Sequence, residues 1–158
     1  MHKIRVYADT SVFGGTQDEE FIEVSRSFFE RVQRGEFVVI LSTVTLRELV
    51  KSPDAVRAVW QNLPPESVEV VTIDADVEEL AEAYIRAKVL SQDSQNDALH
   101  VAAATVAGAD LILSWNFRHI VNFRRIRGFN SVNISLGYRT LTILSPLEVS
   151  YGDEDEKI

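Results

Sequence analysis

Three carboxylates and one carboxamide stand where side-chain oxygens could work together. Asp9 follows the short apolar run Val6-Tyr7-Ala8, and Asn116 closes Leu111-Ile112-Leu113-Ser114-Trp115-Asn116. Asp97 opens the apolar stretch Asp97-Ala98-Leu99-His100, while Glu48 is set among leucines in Leu46-Arg47-Glu48-Leu49. A carboxylate edged into an apolar stripe is expensive to bury without a partner. A divalent cation is one partner that serves several carboxylates at once. Hard oxygen donors in a chain without cysteine favour Mg²⁺ or Mn²⁺ over zinc or copper. The chemistry at stake is that of a hard cation held by Asp9, Glu48 and Asp97.

Each position also has a plainer reading. Ser94-Gln95-Asn96-Asp97 fits the Ser-x-x-acid pattern in which the acid caps a helix. Glu48 could pair with Lys51 at i,i+3, a contact worth about 0.2–0.5 kcal/mol. Asp9 with Ser11, and Asn116 by itself, suit ordinary turns. His100 lies one helical turn from Asp97 and reads as a packed residue before a ligand; Trp115 reads as core and Asp110 as structural. Asp93, four residues before Asp97, would share its face if the helix began early enough.

The elements that must position these residues can be traced along the chain. Residues 5–8 form a short apolar strand ending at Asp9. Residues 19–34 carry Phe21, Val24, Phe28, Phe29 and Val32 at helical spacing, and Gly35 stops that helix. Residues 37–41 are continuously apolar, the mark of a strand buried on both faces. Ser42 or Thr43 then caps a helix carrying Leu46, Leu49 and Val50, which Pro53 ends or redirects. Residues 68–73 are a third strand, and Asp74 or Asp76 caps a helix running to about Leu90. Ser94 begins another, which Gly108 ends. Residues 111–113 and 141–144 are the last strands, separated by a basic segment open to helix formation. Such alternation implies an α/β domain with a mainly parallel sheet, whose function collects beyond the strand C-termini.

The chain has 158 residues, 46% of them hydrophobic, enough for one core and too few for two ordinary domains. Residues 1–150 read as that single domain and the acidic residues 151–158 as a disordered tail. The absence of cysteine excludes a disulfide framework and a thiolate metal site, and favours an intracellular home. The N-terminal residues meet charge before any long apolar stretch, unlike a signal peptide, and no apolar run is long enough to span a bilayer. A cytoplasmic location is expected. The net charge of −8 argues against coating nucleic acid by charge alone. Yet residues 118–127 hold Arg118, His119, Arg124, Arg125 and Arg127 with no acid among them.

The series Asp9-Thr10-Ser11, Leu46-Arg47-Glu48-Leu49, Asn96-Asp97-Ala98-Leu99-His100 and Ser114-Trp115-Asn116-Phe117 resembles the PIN domain, in particular its VapC-like toxins. The likeness runs from about Lys3 to Pro146. It implies a three-layer α/β/α fold, metal-dependent endonuclease activity on RNA, a homodimer, and an antitoxin protein as partner. It also implies that Asp9, Asp97 and, directly or through water, Glu48 hold Mg²⁺ or Mn²⁺, with Ser11 orienting a metal-bound water or the phosphate. The arginines at 118, 124, 125 and 127, with His119 nearby, would then grip the RNA backbone without reading its sequence. One position departs from the family: its fourth acid matches Asn116, an amide that brings no charge. That departure leaves two readings open, a nuclease with one strong metal position or an RNA- or partner-binding module with weak or lost cleavage. Asp93 is a substitute for the missing acid. A phosphatase of the haloacid-dehalogenase type needs a second aspartate at position 11, where this chain has Ser11.

Overall fold

The computed structural model describes residues 2–150. Five strands, β1 (Ile4–Ala8), β2 (Phe37–Ser42), β3 (Val68–Val71), β4 (Leu111–Leu113) and β5 (Thr142–Leu144), form one sheet in the order β3-β2-β1-β4-β5. Every pairing is parallel, so the expected mainly parallel sheet is parallel throughout. The helices are α1 (Thr10–Gly15), α2 (Ile22–Gln33), α3 (Thr43–Val50), α4 (Asp54–Gln61), α5 (Ala75–Arg86), α6 (Gln95–Val106), α7 (Phe123–Ser135) and α8 (Pro146–Ser150).

Alternation along the strands divides the core in two. Tyr7, Ile40, Ile112 and Ile143 point to one face, where they pack with Leu80, Tyr84, Val101 and Phe129 from α5, α6 and α7. Val6, Ala8, Val39, Leu41 and Leu113 point to the other, against Val12, Phe13, Phe28, Phe29 and Val56 from α1, α2 and α4. A parallel sheet covered on both faces needs strands that are apolar at every position, and β2 meets that demand with Val39, Ile40 and Leu41 fully buried. Burying each such side chain stabilises the fold by roughly 1.5–3 kcal/mol. Helices on both faces make the three-layer α/β/α arrangement. Among the described residues no helix is long and apolar enough to cross a membrane. The acidic tail expected at 151–158 lies outside the described residues.

Register sets the site. Tyr7 lies opposite both Ile40 and Ile112, and Ala8 opposite Leu113. The backbone N–H of Asp9 then donates to Leu113 at 3.2 Å, bringing the end of β1 level with Ser114.

Several boundaries differ from the sequence reading, each for a local reason. The first long helix begins at Ile22 rather than at residue 19, because Asp18 accepts from the Glu20 N–H in a turn at 2.8 Å. The third strand stops at Val71, and Asp74 caps α5 through the Val77 N–H at 3.0 Å. α5 ends at Arg86, short of Leu90, because Lys88 turns the backbone left-handed at φ 61°. Helices α1 and α4 were not expected; both are short, and α1 is capped by Asp9 itself through the Ser11 N–H. The basic segment is helical from Phe123, capped by Asn122.

Candidate active site

Asp9 sits at the C-terminal end of the central strand and is 4% exposed. Its Oδ1 accepts from the Ser11 N–H at 3.1 Å and from the Ser11 hydroxyl, and its Oδ2 accepts from the Ser114 hydroxyl at 2.7 Å. Ser11 Oγ in turn accepts the Trp115 N–H at 2.9 Å, and Ser114 Oγ accepts the Asn116 N–H at 2.9 Å. The carboxylate is thus stitched between the ends of β1 and β4 by neutral donors. Burial pushes its pKa up and the negative charge of Asp97 adds to that; the charge of His100 and the two serine hydrogen bonds oppose the rise without cancelling it.

Glu48, on α3, reaches the same end of the sheet. Its Oε1 accepts from Thr10 Oγ1 at 2.9 Å and from His100 Nε2 at 2.6 Å. His100, on α6, is buried, and its Nδ1 lies 2.8 Å from the Tyr7 hydroxyl, which is itself 2.8 Å from Ser42 Oγ. Burial works against a charged imidazole here, but the Tyr7 oxygen, the Glu48 hydrogen bond and charge, and Asp9 outweigh it and push the pKa up to about 10. The imidazolium then donates from both nitrogens, and the Tyr7 O–H is left to donate to Ser42. For Glu48 burial raises the pKa, yet the His100 bond and charge and the Thr10 hydroxyl prevail and hold it below the usual value.

Asp97, in the first turn of α6, does not cap its helix. Its Oδ1 accepts from Asn116 Nδ2 at 3.3 Å and its Oδ2 lies 3.0 Å from His119 Nδ1. Asn116 Oδ1 accepts the His119 N–H at 2.8 Å, which fixes the amide orientation. The residue matched from sequence to a fourth acid, Asn116, thus presents a donor to Asp97, with its oxygen turned to His119.

The sequence model of the PIN domain matches residues 6–126. The chain belongs to the PIN-domain family. Solved structures similar to it include VapBC2 from Rickettsia felis bound to a DNA fragment from its promoter, 14% identical over 90% of this chain and 98% of that one, with a TM-score of 0.59. VapC20 of Mycobacterium tuberculosis, a toxin that cleaves the sarcin-ricin loop, is 20% identical over 71% of this chain and 92% of that one, with a TM-score of 0.55. A toxin–antitoxin complex from Klebsiella pneumoniae is 17% identical over 72% and 88%, with a TM-score of 0.53. No curated protein matches the sequence at a significant level.

This PIN domain brings Asp9, Glu48, Asp97 and Asn116 to one end of the sheet, as two hydrogen-bonded clusters around Asp9. Among the described residues no group of three or more histidine and acidic side chains is arranged to hold a metal ion. The donors nevertheless suit a hard cation in kind and in charge: all are oxygens, and buried Asp9 feels the negative charge of Asp97. Glu48 finds Thr10 and His100 rather than the Lys51 pair considered from sequence. Asp93 does not join them, because α6 starts at Gln95 and Asp93 is exposed on the preceding 3₁₀ turn, Gln92–Ser94. Ser11 orients Asp9. Of the four arginines, Arg118, Arg124 and Arg127 are exposed, whereas Arg125 is tied to the carbonyls of Arg118 and Val89. His119, expected in solvent or near RNA, is bound to Asp97.

Sequence reasoning missed Tyr7, Thr10 and Ser114, and did not foresee the partners of His100. A phenol inside an apolar strand was the available signal, since a buried tyrosine hydroxyl needs a partner. Trp115 is core, stacked on Phe21 at 4.1 Å and donating to Ser25 at 2.8 Å. Asp110 is structural, accepting the Arg5 N–H at 2.8 Å.

Proposed function

We propose that this PIN domain is a Mg²⁺- or Mn²⁺-dependent endoribonuclease, acting in the cytoplasm as the toxin of a toxin–antitoxin pair. The observation that carries the reading is Asp9: a buried acid at the end of the central strand, held by neutral donors and coupled to Asp97. Asp9, Asp97 and, directly or through water, Glu48 would hold the ion. When bound, it would supply a water of lowered pKa and offset charge on the phosphate. Ser11 and Ser114 orient Asp9 toward that role, Thr10 and His100 orient Glu48, and the arginine segment after Asn116 holds the RNA backbone. The similar Klebsiella pneumoniae structure is a toxin–antitoxin complex, which supports a cognate antitoxin as partner here. A homodimer follows from the same family reading.

The second reading, a PIN module that binds RNA or a partner with little cleavage, is favoured by one observation. Asn116 offers Asp97 an N–H where the family offers an acid. Hydrolysis of structured RNA in Mn²⁺ separates the two. Cleavage that disappears in Asp9→Ala and in Asp97→Ala supports the nuclease; cleavage that persists in Asp9→Ala removes it. Binding without cleavage, with cleavage gained in Asn116→Asp, supports the second.

A further inference from the structure

The turn after α5 and the first turn of α7 border an open groove, with His119 on its wall. Two adjoining depressions form it. One, of about 340 Å³, lies between Lys88, Gln92, His119 and Arg125. The other, of about 600 Å³, lies between Lys88, Asn122, Arg124 and Arg125. Neither is lined by a carboxylate, although the chain carries a net charge of −8. Since His119 Nδ1 is bonded to Asp97, the groove leads to the acidic centre.

Its cations are not matched internally. Arg125 spans the two walls, but its partners are the neutral carbonyls of Arg118 and Val89, so its charge is not offset there. Lys88 and Arg124 are exposed, and their side chains have no hydrogen-bond or ion-pair partner among the described residues. Lys88 also occupies a backbone position that suits glycine. Helices α2, α5, α6 and α7 all end with a left-handed residue: Gly35, Gly108 and Gly137 in three, and Lys88, at φ 61°, in α5. A long cation thus stands where glycine would fit with less strain, and its side chain extends from that turn beside the groove.

We propose that this groove binds the RNA phosphodiester backbone on one side of the scissile bond, with Lys88 and Arg124 contacting phosphates and Arg125 fixing the wall between them. The proposal rests on the ribonuclease reading above and narrows it. Arg118 and Arg127 line neither depression, and the Arg127 guanidinium lies 5.8 Å from the centre of the Phe123 ring.

The test uses the full chain and a short 5′-labelled single-stranded RNA. Its Kd is measured by fluorescence anisotropy in EDTA across a salt series, and kcat and KM are measured in Mn²⁺. Lys88→Gly and Arg124→Ala are compared with Arg139→Ala, which makes the same charge change beside Asp110 at the other end of the sheet. Each groove variant is expected to weaken binding about five- to tenfold near physiological salt and to lower the salt slope by about 0.7. KM should rise with kcat unchanged, and Lys88→Gly should melt no lower than wild type. Groove variants that bind RNA as Arg139→Ala does overturn the proposal while cleavage, if present, leaves the nuclease reading standing. Where the wild type binds but does not cleave, weaker binding by the groove variants supports the groove and removes the nuclease reading. A wild type that neither binds nor cleaves removes both.

Discussion

His100 Nε2 lies 2.6 Å from Glu48 Oε1, on the side of the imidazole away from the Tyr7 hydroxyl. A strand residue, a residue of α3 and a residue of α6 are thereby joined in one run of hydrogen bonds, and the orientation of Glu48 depends on it.

The charged ring should show in pH dependence. A histidine whose folded pKa is raised adds stability that is complete below its unfolded value of 6.5 and is lost as pH rises toward about 10. The urea midpoint of wild type should therefore fall over that window relative to His100→Gln. An NMR titration of His100 with a midpoint near 6.5 would count against a charged ring at neutral pH.

Removing the ring should also weaken the fold. His100→Leu is expected to lose about 2 kcal/mol in denaturant unfolding, below the range for a fully buried pair because the Glu48 side chain is 35% exposed. Cleavage should fall too, as Glu48 loses its positioning partner. An unchanged midpoint would show that Thr10 alone holds Glu48.

Asp9 should trade stability for activity. Its raised pKa means that the ionised form disfavours the fold, so stability falls as pH rises from 3.8 through the folded value. Asp9→Asn removes the buried charge while keeping an acceptor for Ser11. It should gain about 1 kcal/mol in urea unfolding and lose all cleavage. A loss of stability would mean that the Ser11 and Ser114 bonds outweigh burial.

Asn116→Asp sets a carboxylate where the amide nitrogen lies 3.3 Å from Asp97. In EDTA the variant should melt lower than wild type, by about 2–4 °C for each kcal/mol of repulsion. Adding Mn²⁺ should raise its Tm more than that of wild type, because the cation then bridges two acids. Equal Mn²⁺ shifts in the two proteins would argue that position 116 does not face the ion.

Packing behind the site is equally exposed to test. A Cβ on Gly15 would lie 2.3 Å from Ser25 Oγ and 2.8 Å from Trp115 Nε1, between the partners of a buried hydrogen bond. Gly15→Ala should lose about 2 kcal/mol and shift the tryptophan emission. A wild-type spectrum and midpoint would mean that α1 can move aside freely.

The strands and the end of the sheet to search were legible because periodicity and strand-end position report local physics. Asp9 and Asn116 follow from that rule directly. The partners of Glu48 and Asp97 were not legible, since His100 and His119 meet them only through the packing of α6 against the sheet and the turn after Asn116. Asp93 was misjudged for a local reason: Ser94 ends a 3₁₀ turn and so separates it from α6. Lys88 left no trace in the sequence, because a left-handed helix end is ordinarily announced by glycine.

The position of β1 has a consequence for synthesis. It is the middle strand, paired with β2 on one side and with β4 on the other, and Asp9 is tied to Ser114 while Asp97 is tied to His119. A ribosome delivers residue 9 early but cannot complete its surroundings until His119 has cleared the exit tunnel. Until then the acid at residue 9 has neither Ser114 nor the Asp97–His119 pair beside it, so the cluster closes late, after most of the polypeptide has been made.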